Sequence, residues 1–206
     1  MPDLSTLALF CAATLALLLV PGPAVVYIVT RSVAQGRGAG LVSVLGIHLG
    51  TLVHVLAAAL GISALLAASA TAFTIVKYLG VAYLVYLGVR ALLRKDGGDL
   101  VELKVHSKRR LFWEGFVVNV LNPKTAIFFL AFLPQFVDTG APVVPQILLL
   151  GAVFTGMGMV SDGAFAFLSS ALAGKLRSSD RARRRLDVTS GLVYLGLGAF
   201  LATSKS

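Results

Sequence analysis

Lys124 and Asp162 sit inside long apolar blocks of the chain, where an ion is costly unless it is paired, hydrated or put to use. Lys124 suits an anionic group such as a carboxylate. Asp162 suits an ammonium, or a proton taken up and released, and His54 and His48 titrate in the range that proton coupling uses. Asn119 and Asn122 lie almost one turn apart, and Asn122 is placed to cap a helical piece starting at Pro123. Two interruptions accompany these groups, Pro21-Gly22-Pro23 and Asn122-Pro123. A proline removes an amide donor and leaves the carbonyl one turn back without its partner. In hydrocarbon such carbonyls are tolerated only against protein or a watery cavity, so both breaks are expected to face inward. The carbonyls freed by Pro21 and Pro23 attract an ammonium. The amides that open the next pieces, at Pro23-Ala24-Val25 and Pro123-Lys124-Thr125, attract a carboxylate. The candidate binding set is therefore Pro21, Gly22, Pro23, Asn119, Asn122, Pro123, Lys124 and Asp162, and the candidate proton-handling set is Asp162, His54 and His48. The competing structural reading is that Lys124 and Asp162 simply pair with each other.

Helical spacing says which way these groups point. Gly151, Thr155, Gly158, Asp162, Ala166 and Ser169 recur at steps of three and four, as do Gly46, Gly50, His54, Ala58 and Gly61. Stripes of small residues mark helix contact or a cavity, so Asp162 and His54 are expected to face other helices. His48 lies six residues from His54 and is expected to point elsewhere. Two such histidines make a weak metal site, and no cofactor is expected. Lys77 lies near the end of its segment, where its stem can reach the headgroups. Phe112 and Trp113 read as interface anchors, and Phe128, Phe129, Phe132 and Phe136 as packing or lipid contacts.

The elements that position these groups are membrane helices. Of the 206 residues, 57% are hydrophobic and only 13% charged, too little charge to cover a water-soluble surface. The apolar residues form blocks of about 20, long enough to cross the bilayer core. Segments are expected at about 4–33, 41–66, 72–93, 112–136, 144–172 and 188–202. The first block has no basic stretch ahead of it and reads as a retained helix rather than a cleaved signal. A polar linker with Gly97-Gly98 spans 94–110 and divides a first half, 1–93, from a second, 111–206. The fold class is thus all-α: one polytopic membrane bundle of six transmembrane helices. Each half opens with a proline-broken helix, the pattern of a 3+3 inverted repeat with its binding region at the breaks. Arg31, Arg37, the bases of the linker and those of 175–185 mark the cytoplasmic loops, putting both termini outside. The net charge of +9 sits in these short loops, which argues against a nucleic-acid partner. Cys11 stands alone, so a disulfide or Cys-x-x-Cys pair within the chain is excluded. A nucleophile with a nearby base is also missing, and the chain does not read as an enzyme.

One set of motifs runs Asn122-Pro123-Lys124-Thr125-Ala126 with Phe128-Phe129, and Leu133-Pro134-Gln135-Phe136-Val137. Beside it stand Pro21-Gly22-Pro23, the run Lys77 to Leu84 leading to Gly88, Asp162, and Gly191 with Leu195-Gly196-Leu197. In this ordered set, across nearly its full length, the chain resembles the LysE/RhtB family of bacterial amino-acid exporters. The resemblance implies a multi-pass protein of the bacterial inner membrane. It also implies export of an amino acid or close derivative out of the cytoplasm by proton antiport. Asp162 is the one carboxylate placed to meet a second positive charge, which favours a neutral amino acid over a dibasic one. The expected partners are that solute, protons and the lipid bilayer, with homo-oligomerisation left open. The alternative is a secondary transporter of another small solute, a metal ion or an organic acid.

Overall fold

The computed structural model describes residues 2–68, 70–93 and 105–172, together with isolated positions between 188 and 203. Most of the sixth segment, the basic loop before it, most of the linker and the side chain of Lys77 lie outside the described residues.

Everything described as regular structure is helical. Helix α1 (Leu4–Leu19) starts where the Asp3 carboxylate accepts from Thr6 N at 2.7 Å. Those amide and hydroxyl donors hold the exposed Asp3 carboxyl below its ordinary range. The helix stops because Pro21 has no N–H for Leu17 and Val20 turns extended at ψ 119°. Helix α2 (Pro23–Gln35) begins with proline at its first position, where φ suits a helix and a missing N–H costs nothing. It ends at Gly36, whose φ of +83° is open to glycine and strained for other residues. Helix α3 (Arg37–Ala68) follows at once, then α4 (Ala70–Leu93).

Ser107 caps α5 (Lys108–Val120), so the last three residues of the expected linker are already helix. Asn122 caps the short α6 (Pro123–Ile127), which runs on as a π turn (Phe128–Phe132) and a 3-10 turn (Leu133–Phe136). The wider turn lies just ahead of Pro134, which lacks the N–H that an α register would aim at Leu130. Helix α7 (Val143–Ala171) closes the described part. The chain bends by 51° between α1 and α2 and by 46° between α5 and the piece from Pro123 to Phe136. Among the described residues two helices are long and apolar enough to cross a membrane, or up to four if each bent pair is one span. The count of six and the repeat extend beyond what these described residues contain.

Packing follows most of the two small-residue stripes, with His54 and Thr155 part-buried and Gly61, the last of the α3 stripe, exposed. Gly151, Gly158, Asp162, Ala166 and Ser169 on α7 are buried, as are Gly46, Gly50 and Ala58 on α3, while Leu52, Leu56, Leu60, Val160 and Leu168 lie exposed on other faces. A Cβ at Gly46 would meet the carbonyl oxygen of Phe112, and one at Gly115 would come within 2.7 Å of the Ser43 oxygen. Helices α3 and α5 therefore touch backbone to backbone, the contact that small residues allow where lipid supplies no hydrophobic drive. Gly46→Ala is expected to push them apart and destabilise the fold by about 1–3 kcal/mol. Thermal unfolding in detergent checks this, with Gly156→Ala, whose Cβ would meet open space, as the neutral control. At the far end Phe10, Phe128, Phe129, Phe132, Phe136 and Phe154 interlock, with Phe128 and Phe154 at 4.8 Å, and tie α1 and α7 to the π turn. These rings are packing, while Trp113 is half exposed beside Phe112, as an interface residue is.

Candidate functional site

The two breaks meet in the bundle interior through Gly22, Asn122 and Lys124, which share one cavity wall. Pro23 and Pro123 are exposed, Pro21 is half-buried, and none of these three prolines lines that cavity. Lys124, on the first turn of α6, sends its ammonium across to the end of α1, where Nζ donates to Leu17 O at 2.7 Å and Val20 O at 2.6 Å. Leu17 O is the carbonyl that Pro21 deprives of its helical donor, and it also accepts from Val20 N at 3.2 Å. The second acceptor is freed by the extended turn at Val20. The carbonyl that Pro23 would deprive belongs to Leu19, so this half of the expectation shifts by one residue. With Lys124 only 8% exposed, these two contacts hold an ammonium in the bundle interior.

Asp162, midway along α7, faces the same space and pairs with His48 of α3, Nε2 to Oδ2 at 3.1 Å, both side chains being buried. Lys124 is thus held by carbonyls and Asp162 by an imidazole, and the two charges still act on each other across the cavity that they share. Gly158 makes room for the ring, because a Cβ there would stand 2.5 Å from His48 Cε1. Gly158→Ala should therefore shift His48 off Asp162. Active transport is expected to fall roughly tenfold, the loss of about one charge-assisted hydrogen bond, and flux and stability measured on the same preparation separate this from unfolding.

Asn119 knits the second break to α3. Its Nδ2 donates to Ile47 O at 2.8 Å and Thr51 Oγ1 at 2.9 Å, while its Oδ1 accepts from Thr125 Oγ1 at 3.0 Å and Asn122 Nδ2 at 3.3 Å. Asn122 Oδ1 accepts from Lys124 N at 3.1 Å, the capping bond expected from the sequence. His54 lies outside the cavity lining: its Nε2 contacts Asn119 O at 2.8 Å and its ring stacks on Phe129. The groups between the breaks line a cavity of about 40 Å³, whose walls include Gly22, His48, Thr51, Asn119, Lys124 and Asp162. That volume suits about three waters and not an amino acid, so a larger solute needs the helices to part.

A chain with two broken helices meeting at a buried Lys, Asp and His invites comparison with known transporters. Residues 15–205 match the LysE type translocator family. The chain belongs to that family. As a LysE type translocator it is a multi-pass membrane transporter and not an enzyme. It is 30% identical to the homoserine/homoserine lactone efflux protein of Salmonella typhimurium over 90% of both chains. It is also 30% identical to an uncharacterized membrane protein of Vibrio cholerae, over 91% of this chain and 92% of that one. No solved structure matches.

In this LysE type translocator, sequence spacing missed two things. Thr51 and Thr125 are buried at the site, but threonine is common in membrane helices and carries no signal of its own. The other is a charged cluster at the end where α2 meets α5. Glu114 accepts from Tyr27 Oη at 3.0 Å, Arg31 at 3.0 Å, His106 Nδ1 at 3.0 Å and Arg110 Nε at 2.8 Å. Arg31, counted above as a loop base, lies within α2 and is 7% exposed. A Glu at the start of an apolar segment, opposite an Arg near the end of another, was the available signal. The contact between Gln35 and the His106 backbone puts the end of α2 beside the residues that lead into α5.

Proposed function

We propose that this translocator exports an amino acid or close derivative from the cytoplasm by proton antiport, through six spans arranged as a 3+3 inverted repeat around the two breaks. The observation that carries the reading is the meeting of both breaks at a cavity lined by Lys124, Asp162 and His48. Opposite charges held a short way apart complement a zwitterion. Lys124 and the uncapped start of α2 at Gly22-Pro23 suit its carboxylate, and Asp162 and the freed carbonyls suit its ammonium. Among the described residues Asp162 is the one carboxylate on the cavity wall, and it already has an imidazole partner. That balance favours a neutral amino acid over one with a second cationic group. Homoserine is the first solute to test, because the Salmonella relative carries it in its name.

Proton coupling is assigned to the Asp162–His48 pair. A carboxylate and an imidazole held in contact can pass a proton between them, and among the described residues His48 Nδ1 is buried with no hydrogen-bond partner. His54, engaged with a backbone carbonyl, keeps at most a secondary place. The basic loops lie in the cytoplasm and both termini in the periplasm of a bacterial inner membrane. The test is uptake of labelled homoserine into inside-out vesicles with and without an imposed pH gradient. Concentrative uptake that collapses with the gradient is expected. Equal flux in vesicles lacking the protein ends the reading.

A further inference from the structure

Two backbone carbonyls that converge on an ammonium at 2.6 and 2.7 Å form a binding site, whatever molecule the ammonium belongs to. Here the occupant is a side chain of the protein. Its partners come from the other broken helix, so the occupancy ties the two halves together. We propose that the Leu17 and Val20 carbonyls are a seat for a primary ammonium, in which Lys124 sits as a tethered stand-in until the amino group of the transported solute displaces it.

The geometry makes the two occupants exclusive. Both carbonyls are engaged at short hydrogen-bond distance, and the cavity of about 40 Å³ leaves no room for an amino acid beside Lys124. Displacement has a natural trigger. A zwitterion brings a carboxylate that attracts the Lys124 ammonium out of the seat while its own amino group fills the position just vacated. Number and sign of charge at the carbonyls stay the same throughout, so neither step leaves a bare ion or a bare carbonyl in the bundle. When the solute leaves, Lys124 returns, which reseals the breaks and opposes rebinding. This exchange rests on the amino-acid reading above; the seat itself does not.

The seat is tested without transport, in the full-length protein in detergent. Lys124→Ala removes three carbons and one nitrogen, the atoms of n-propylammonium, whereas Lys124→Met keeps the stem and removes the terminal nitrogen, a gap the size of an ammonium ion. n-Propylammonium is expected to raise the melting temperature of Lys124→Ala saturably, by roughly 3–5 °C. Ammonium chloride should do the same for Lys124→Met, and neither salt should act on the wild type. n-Propanol and choline chloride, which match the size of the stem or the charge without an N–H donor, should have no effect. Each cation is present from solubilisation onward, so a variant that needs it to fold is recovered with it. If neither variant responds, or if propanol works as well as propylammonium, the seat is disproved. If the seat responds but the wild type shows no homoserine flux, the seat stands and the amino-acid reading falls.

Discussion

Asp162→Asn is expected to abolish accumulation driven by a pH gradient while leaving a weakened, passive exchange of homoserine. The substitution keeps the size of the side chain and a hydrogen-bonding oxygen for His48, so the packing of α7 on α3 should persist. It removes the site's carboxylate, and with it the charged member of the pair to which coupling is assigned. It also removes an acceptor for the solute's ammonium. A hydrogen bond to a charged group is worth about 1.5–3 kcal/mol, so the apparent affinity should fall by roughly 10–100-fold. Inside-out vesicles separate the two effects: counterflow of labelled homoserine reports exchange, and uptake against a gradient reports coupling. An Asn variant that still concentrates homoserine as well as the wild type removes Asp162 from proton handling.

The largest loss of stability is expected from Asn119→Leu. Asn119 makes four side-chain hydrogen bonds, two to α3 and two to the residues of the second break. Interhelical bonds in membranes average about 0.6 kcal/mol each, and here the partners left behind are themselves buried. A total of about 2–3 kcal/mol follows, which lowers the unfolding midpoint by roughly 5–10 °C. Asn119→Ser, shorter but still polar, should recover part of this. The readout is the unfolding midpoint of the full chain in detergent; a Leu variant within a degree of the wild type contradicts the role given to this amide. Because Asn119 holds Asn122 and Thr125, which flank Lys124, the loss should also appear as weaker homoserine exchange in whatever protein stays folded.

Much of this was legible in the chain. Blocks of apolar residues fix where helices run, because an unpaired peptide in hydrocarbon is too costly for other solutions. For the same reason the freed carbonyls of the first break and Asn122 of the second turn inward, although Pro23 and Pro123 themselves are exposed. Stripes of glycine, alanine and serine told which faces of α3 and α7 are buried, since larger side chains cannot fit where helices approach closely. The cap at Asn122 followed from residue type and position alone.

What spacing could not supply was who meets whom. His54 looked the better histidine because it shares a face with Gly46 and Gly50, yet it is His48, on another face of the same helix, that reaches Asp162. A helix enclosed on several sides by α2, α5 and α7 has more than one inward face, and a one-dimensional pattern does not say which neighbour lies over each. Likewise Lys124 and Asp162 were recognisable as buried charges, but an ion settles on whatever partner the packing brings within about 3 Å. Sequence determined the helices, their breaks and the charges that needed partners; only the tertiary structure decided that one break's carbonyls would hold the other break's ammonium, because that pairing depends on how two bent helices cross and not on any local preference.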